Sequence, residues 1–91
     1  MAKKIDVVYG EETVELSRLY PFGETTKLGD QEVTVLRLHE LNGFDQEVIT
    51  KDPDKLYGYM QVAVSAGIEY SEALALAKKD YEKVIEVLEG F

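Results

Sequence analysis

Among the 91 residues there is no cysteine and no tryptophan, and there are only two prolines and one histidine. Without cysteine there is no disulfide, no thiolate metal site and no thiol nucleophile, and a reducing cytoplasm suits such a chain. The single histidine, His39, stands beside Glu40, but neighbouring residues of a strand point to opposite faces, so the pair is no ready-made dyad. The seven glycines are scattered and form no phosphate-cradling motif. Asp52 and Asp54 resemble the start of an oxygen-rich cation loop. Pro53 and the lack of later ligands exclude an EF-hand, and a capping role is sufficient. No apolar run approaches the ~18 residues of a membrane span. The start, Met1-Ala2-Lys3-Lys4-Ile5-Asp6, is basic but leads into no apolar stretch, so no signal peptide is expected. Ten cations against eighteen carboxylates leave a net charge of −8, a field that repels nucleic acid and anionic lipid. The expectation is a soluble chain without catalytic residues, cofactor or metal, with no nucleic-acid or membrane partner.

What is present is a change of period. Up to about Leu41 the apolar residues alternate, as in Thr13-Val14-Glu15-Leu16-Ser17 and Val33-Thr34-Val35-Leu36-Arg37-Leu38. Beyond it they recur at helical spacing, as in Leu56, Met60 and Ala63, then Val84, Ile85, Leu88 and Phe91. Strands first and helices second predict an α+β domain: an N-terminal antiparallel hairpin or three-stranded sheet over 1–41, then three to four helices over 42–91. A Rossmann-like or barrel scaffold needs alternation and is excluded. A chain of this length makes one domain, with about 5–10 kcal/mol of stability.

Local signals place the elements. Residues 5–9 are a short apolar run that Gly10 closes, and they can pair with 13–19 across a turn. Pro21 and Gly23 break the alternation. Gly29-Asp30 reads as a hairpin turn before a better strand over 31–39. Within that strand the pattern slips, which a bulge near Val35 or burial of both faces explains; partial burial of both faces is the favoured expectation. Asn42-Gly43 leads to a short helix over 44–51. Asp52-Pro53-Asp54 predicts the start of a helix running to about Ala66, with Asp52 as cap and Pro53 in the first helical position. Gly67 is its left-handed stop, and Ile68 makes the hydrophobic contact that follows. Ser71 can cap a helix over 72–78, and Asp80 one over 81–89.

The last two long helices differ in character. Over 81–91, Tyr81, Val84, Ile85, Val87, Leu88 and Phe91 share one side and Glu82, Lys83, Glu86 and Glu89 the other. In the helix after Asp54, apolar residues cover an arc of roughly 220°, and only Gly58, Gln61 and Ser65 form a polar strip. An arc that wide fits a central helix surrounded by other elements. It is also compatible with a helix that leaves one edge open to a partner. Tyrosine offers a rigid apolar body with a polar tip and methionine adapts to irregular surfaces. The expected contact residues are therefore Tyr57, Tyr59, Met60 and Val64, with Phe44 next.

From Gly29 to Phe91 the order of motifs resembles the phage tail assembly chaperone family of Mu-like and P2-like contractile-tailed phages and their prophages. A hairpin closed by glycine leads into a Leu-x-Leu-Arg type strand, a small-residue turn and an aspartate. Here these are Val33-Thr34-Val35-Leu36-Arg37-Leu38-His39-Glu40-Leu41-Asn42-Gly43-Phe44-Asp45. An apolar helix ending at glycine follows, as in 56–67. Then come a serine-started helix at Ser71-Glu72-Ala73-Leu74, an aspartate-capped one at Asp80-Tyr81 and a terminal aromatic, Phe91. The chain departs at His39, where the family tends to have arginine, and at Leu41, where it tends to have proline. The resemblance implies a non-enzymatic helper that binds the tape measure protein in the host cytoplasm, keeps it soluble during assembly and is absent from the mature virion. Two alternatives stay open: an acidic inhibitor or antitoxin-like module, and a structural tail component. An inhibitor held by charge would lose its target steeply with salt, whereas apolar capture would lose little.

Overall fold

Valine, leucine and tyrosine at alternate positions let residues after Gly10 bury one face of a strand, and β1 runs over Glu11–Tyr20 with Val14 and Tyr20 buried. Its antiparallel partner β2, Val33–His39, buries Leu36 and Leu38. Four helices follow: α1 over Gly43–Thr50, α2 over Tyr57–Ala66, α3 over Tyr70–Leu74 and α4 over Lys78–Glu89. A computed structural model describes residues 8–22 and 33–91. The architecture is α+β, as the change of period predicts: a two-stranded antiparallel sheet followed by helices.

The sheet differs in detail from the expectation. Gly10 does not turn the chain. It continues the line of β1, accepting at its carbonyl from the Glu40 N–H at 2.8 Å while its own N–H donates to the Glu40 carboxylate at 3.0 Å. Val8 and Tyr9 belong to no strand; the rest of the apolar run over 5–9 and the turn at Gly29-Asp30 lie outside the described residues. Partial burial of both faces of β2 is also overturned. Leu36 and Leu38 face the core, whereas Val35 and Arg37 are exposed. The slip belongs to the pairing: between Glu15↔Val35 and Tyr20↔Val33, β1 advances five residues while β2 moves by two. The extra residues of β1 make an irregularity there.

Helices cover one side of this sheet. α2 packs on β2 and also meets α1, α3 and α4, while α4 packs on β1. α2 is therefore the central helix. Its core partners include Val14, Leu36, Leu38 and Val84, with Val62 of α2 itself fully buried. Helix side chains also satisfy outward-pointing ladder groups. The Ser65 hydroxyl of α2 accepts from the His39 N–H at 3.0 Å and donates to the His39 carbonyl at 2.7 Å. Lys83 of α4 donates to the Glu15 carbonyl at 2.9 Å.

Helix boundaries depart from expectation in three places. α1 begins in a reciprocal Asn42–Asp45 capping box, each bond 3.0 Å. Asp52-Pro53-Asp54 forms a turn and not a helix start: the Lys55 N–H donates to the Asp52 carbonyl, and the Lys55 ammonium lies 3.6 Å from its carboxylate. α2 starts three residues after Asp54, where the Leu56 N–H donates to the Tyr70 hydroxyl at 2.9 Å. It stops as expected at Gly67 (φ 70°), with the Ile68 N–H returning to the Ala63 carbonyl. α3 begins after Glu69, whose N–H donates to the Glu72 carboxylate at 2.9 Å; Ser71 already lies inside the helix. α4 begins at Lys78 behind Ala77, so Asp80 sits in its first turn and is not its cap.

Candidate functional site

Along α2, Tyr57, Gln61 and Val64 fall on one side at spacings of four and seven residues. This side is the open one. Tyr57 is 49% exposed and Val64 half-buried, whereas Val62, Ala63 and Ser65 are buried. The three residues form a ridge between two grooves. The first groove, about 270 Å³, lies between the strand-to-helix connection, α1, α2 and α4. Leu41, Ile85, Leu88 and Phe91 are its apolar lining, and Gln61 borders it from the ridge. Gln46 of α1, on the same groove, donates its amide N–H to the Tyr57 hydroxyl and holds that ring at the edge. The second groove, about 310 Å³, runs between α2 and the start of α3, where Met60, Val64 and Ile68 meet Tyr70. Lys55 stands 5.3 Å from the Tyr70 ring centre, a cation–π contact that fixes the far wall.

The five expected contact residues do not form one surface. Tyr57 and Val64 occupy the ridge. Met60 borders the second groove but is only 6% exposed, so its role is mainly in packing. Tyr59 points the other way and stacks on Tyr81, with ring centres 4.1 Å apart. Gly58 makes room for that stack, since a Cβ there would collide with the Tyr81 hydroxyl. Phe44 is 80% exposed on α1. At 100° per residue it projects about 200° away from Gln46, which borders the first groove. Phe44 therefore lies apart from the ridge.

Of the polar strip of α2, Gln61 lies on the open ridge, whereas Gly58 and Ser65 face neighbouring elements. Gly58 meets Tyr81 and Ser65, 1% exposed, holds the end of β2. The small size of these residues, one turn pair apart, marks a close approach between elements. Sequence reasoning missed the first groove, whose apolar lining joins residues from Leu41 to Phe91. The apolar side shared by Ile85, Leu88 and Phe91 was its nearest signal.

Two carboxylates elsewhere tie elements together. His39 Nε2 lies 3.4 Å from the Asp45 carboxylate, and that carboxylate also caps α1. Asp80, 1% exposed, receives the Ser17 N–H at 2.9 Å, the Ser17 hydroxyl at 2.8 Å and the Tyr20 hydroxyl at 2.5 Å. Burial alone pushes this carboxyl up. The Tyr20 and Ser17 donors, with the Arg18 charge nearby, outweigh it and hold the group below the ordinary carboxylate value. Tyr20 is raised, first by burial and then by its bond to Asp80. Tyr81 is raised by burial and by neighbouring Tyr59. Among the described residues no group of three or more acidic or histidine side chains is placed to hold a metal ion, and no helix is long and apolar enough to cross a membrane. The chain matches no family model, no curated protein and no solved structure.

Proposed function

We propose that this chain is a non-enzymatic assembly helper of a phage or prophage tail, which binds the tape measure protein and keeps it from aggregating. The observation that carries the proposal is the α2 ridge, with Tyr57 and Val64 standing open between two grooves on a chain of net charge −8. A tape measure protein is a long helical chain whose apolar stripes stay exposed until the tube encloses them. A ridge flanked by grooves accepts such a stripe as knobs seated on either side of a helix. The negative charge of each bound copy then lends the complex repulsion against its neighbours.

Each contact is small, so single sites bind weakly and many copies share one long partner. Weak sites suit a helper that tube subunits displace in the host cytoplasm, before the virion matures. The order of strand, turn and glycine-ended helix that resembles the tail assembly chaperones is the second support.

Co-expression tests the proposal. The partner is a tape measure protein, and the readout is its soluble fraction. The chain raises that fraction and is missing from purified virions. An unchanged soluble fraction overturns the chaperone reading, and recovery of the chain from virions in stoichiometric amount assigns it to the tail structure instead.

A further inference from the structure

The two grooves differ in charge. The second has Lys55 and Glu69 along it, one of each sign. The first has Glu40 and Glu89 and no cation. Among the described residues neither carboxylate takes part in an ion pair. One Glu40 oxygen accepts from the Gly10 N–H at 3.0 Å, which orients the carboxylate.

Building on the capture proposed above, we infer that the first groove selects a partner helix carrying an aliphatic side chain with a lysine or arginine within one turn of it. The aliphatic group enters between Leu41, Ile85, Leu88 and Phe91, and the cation reaches Glu40 or Glu89. The volume of about 270 Å³ lies just under the ~300–1,000 Å³ of small-molecule sites and suits a protruding side chain. An acidic residue in the same place meets two carboxylates and the field of the whole chain, so it is rejected. Charge complementarity of this kind sets partner choice and register more than it sets affinity. A stripe in the partner with lysines along its flanks is thus held in one orientation, and one with glutamates is passed over.

The test uses synthetic helical peptides with a leucine stripe at i, i+3, i+4 and i+7. They are flanked by lysine, glutamine or glutamate and measured by fluorescence anisotropy at physiological salt. Glu40→Gln with Glu89→Gln keeps side-chain shape and the acceptor for Gly10. Glu15→Gln with Asp54→Asn removes two charges at exposed places outside the groove. Circular dichroism confirms that both variants fold. The groove variant weakens the lysine peptide about fivefold, the effect of two partly exposed charge pairs, and leaves the glutamine peptide unchanged. The distant variant moves the lysine peptide by less than about twofold.

Equal losses in the two variants overturn the inference in favour of the overall field. Equal binding of the lysine and glutamine peptides overturns it while capture of apolar helices stands. Failure of all three peptides removes both. A dimer in sedimentation that Phe91→Ala dissolves assigns the groove to a second copy of this chain, which also overturns it.

Discussion

At the β1–α4 junction, Asp80 is sealed from water and meets donors from Ser17 and Tyr20, whereas along the α2 ridge Tyr57 and Val64 stay open to it. The two regions use polar and apolar groups in opposite ways. A carboxylate is the buried group at the junction, whereas at the ridge an aromatic ring is exposed and a valine only half-buried. The junction joins residues some sixty positions apart in sequence, and leaving any of its groups unmade is costly in a low-dielectric interior. The ridge has no comparable network. Among the described residues its one fixed polar contact is the Gln46 bond to Tyr57. The clamp thus ties α4 to the sheet through polar groups, and the ridge is the more open of the two regions.

Substitutions at the two regions sharpen this division. The largest effect belongs to Asp80→Ala, which strands the Tyr20 hydroxyl and the Ser17 N–H. It lowers stability by about 3 kcal/mol or more in urea unfolding, while Asp80→Asn, which keeps one acceptor oxygen, loses less. Equal stability of Asp80→Ala and wild type would break the comparison at once. Next is Gly58→Ala, which drives Tyr81 off Tyr59 and costs about 1–3 kcal/mol by overpacking; fluorescence of the tyrosines reports the lost stack.

The pH dependence carries the same asymmetry. Asp80 is held below its ordinary pKa of 3.8, so its contribution is complete above that pH and disappears as pH falls through the lower folded value. Tyr20 and Tyr81 are held above 10.0, so theirs is complete below that pH and disappears as pH rises through the raised values. Thermal melts across acid and alkaline pH read both limbs. Tyr20→Phe flattens the alkaline one, and no change in that limb would assign it elsewhere. The smallest stability effect is at the ridge: Tyr57→Ser with Val64→Ser shifts unfolding by no more than about 1 kcal/mol.

The architecture was legible because burial imposes periods on the sequence. Leu36 and Leu38 alternate with Val35 and Arg37, and Val84, Ile85 and Leu88 recur at helical spacing with Glu82 and Glu86 opposite. The breadth of the apolar arc around α2 correctly marks a helix surrounded by other elements. Asp80 was misread as a cap because an aspartate ahead of a helical run usually is one. What draws it inward is Tyr20, whose hydroxyl accepts the Ala77 N–H at 2.9 Å while donating to Asp80. No local pattern encodes that pairing.

The candidate site was half legible. Tyr57 and Val64 stand where an open edge was expected. Tyr59 and Met60 fall on the packed sides of the same helix, since helical phase alone does not say which part of an apolar arc the fold covers. Gly58 and Ser65 look polar by type, but they are small enough to admit Tyr81 and the end of β2, so the strip they form turns inward. The first groove needed the tertiary structure, because Leu41 and Phe91 meet only after the helices have packed.

The most direct measurement is the affinity of Tyr57→Ser with Val64→Ser for a purified helical segment of the tape measure protein, read beside its urea midpoint. Loss of capture by about tenfold or more, with an unfolding midpoint close to that of wild type, is the predicted result. Undiminished capture by this folded variant would contradict the ridge as the binding surface.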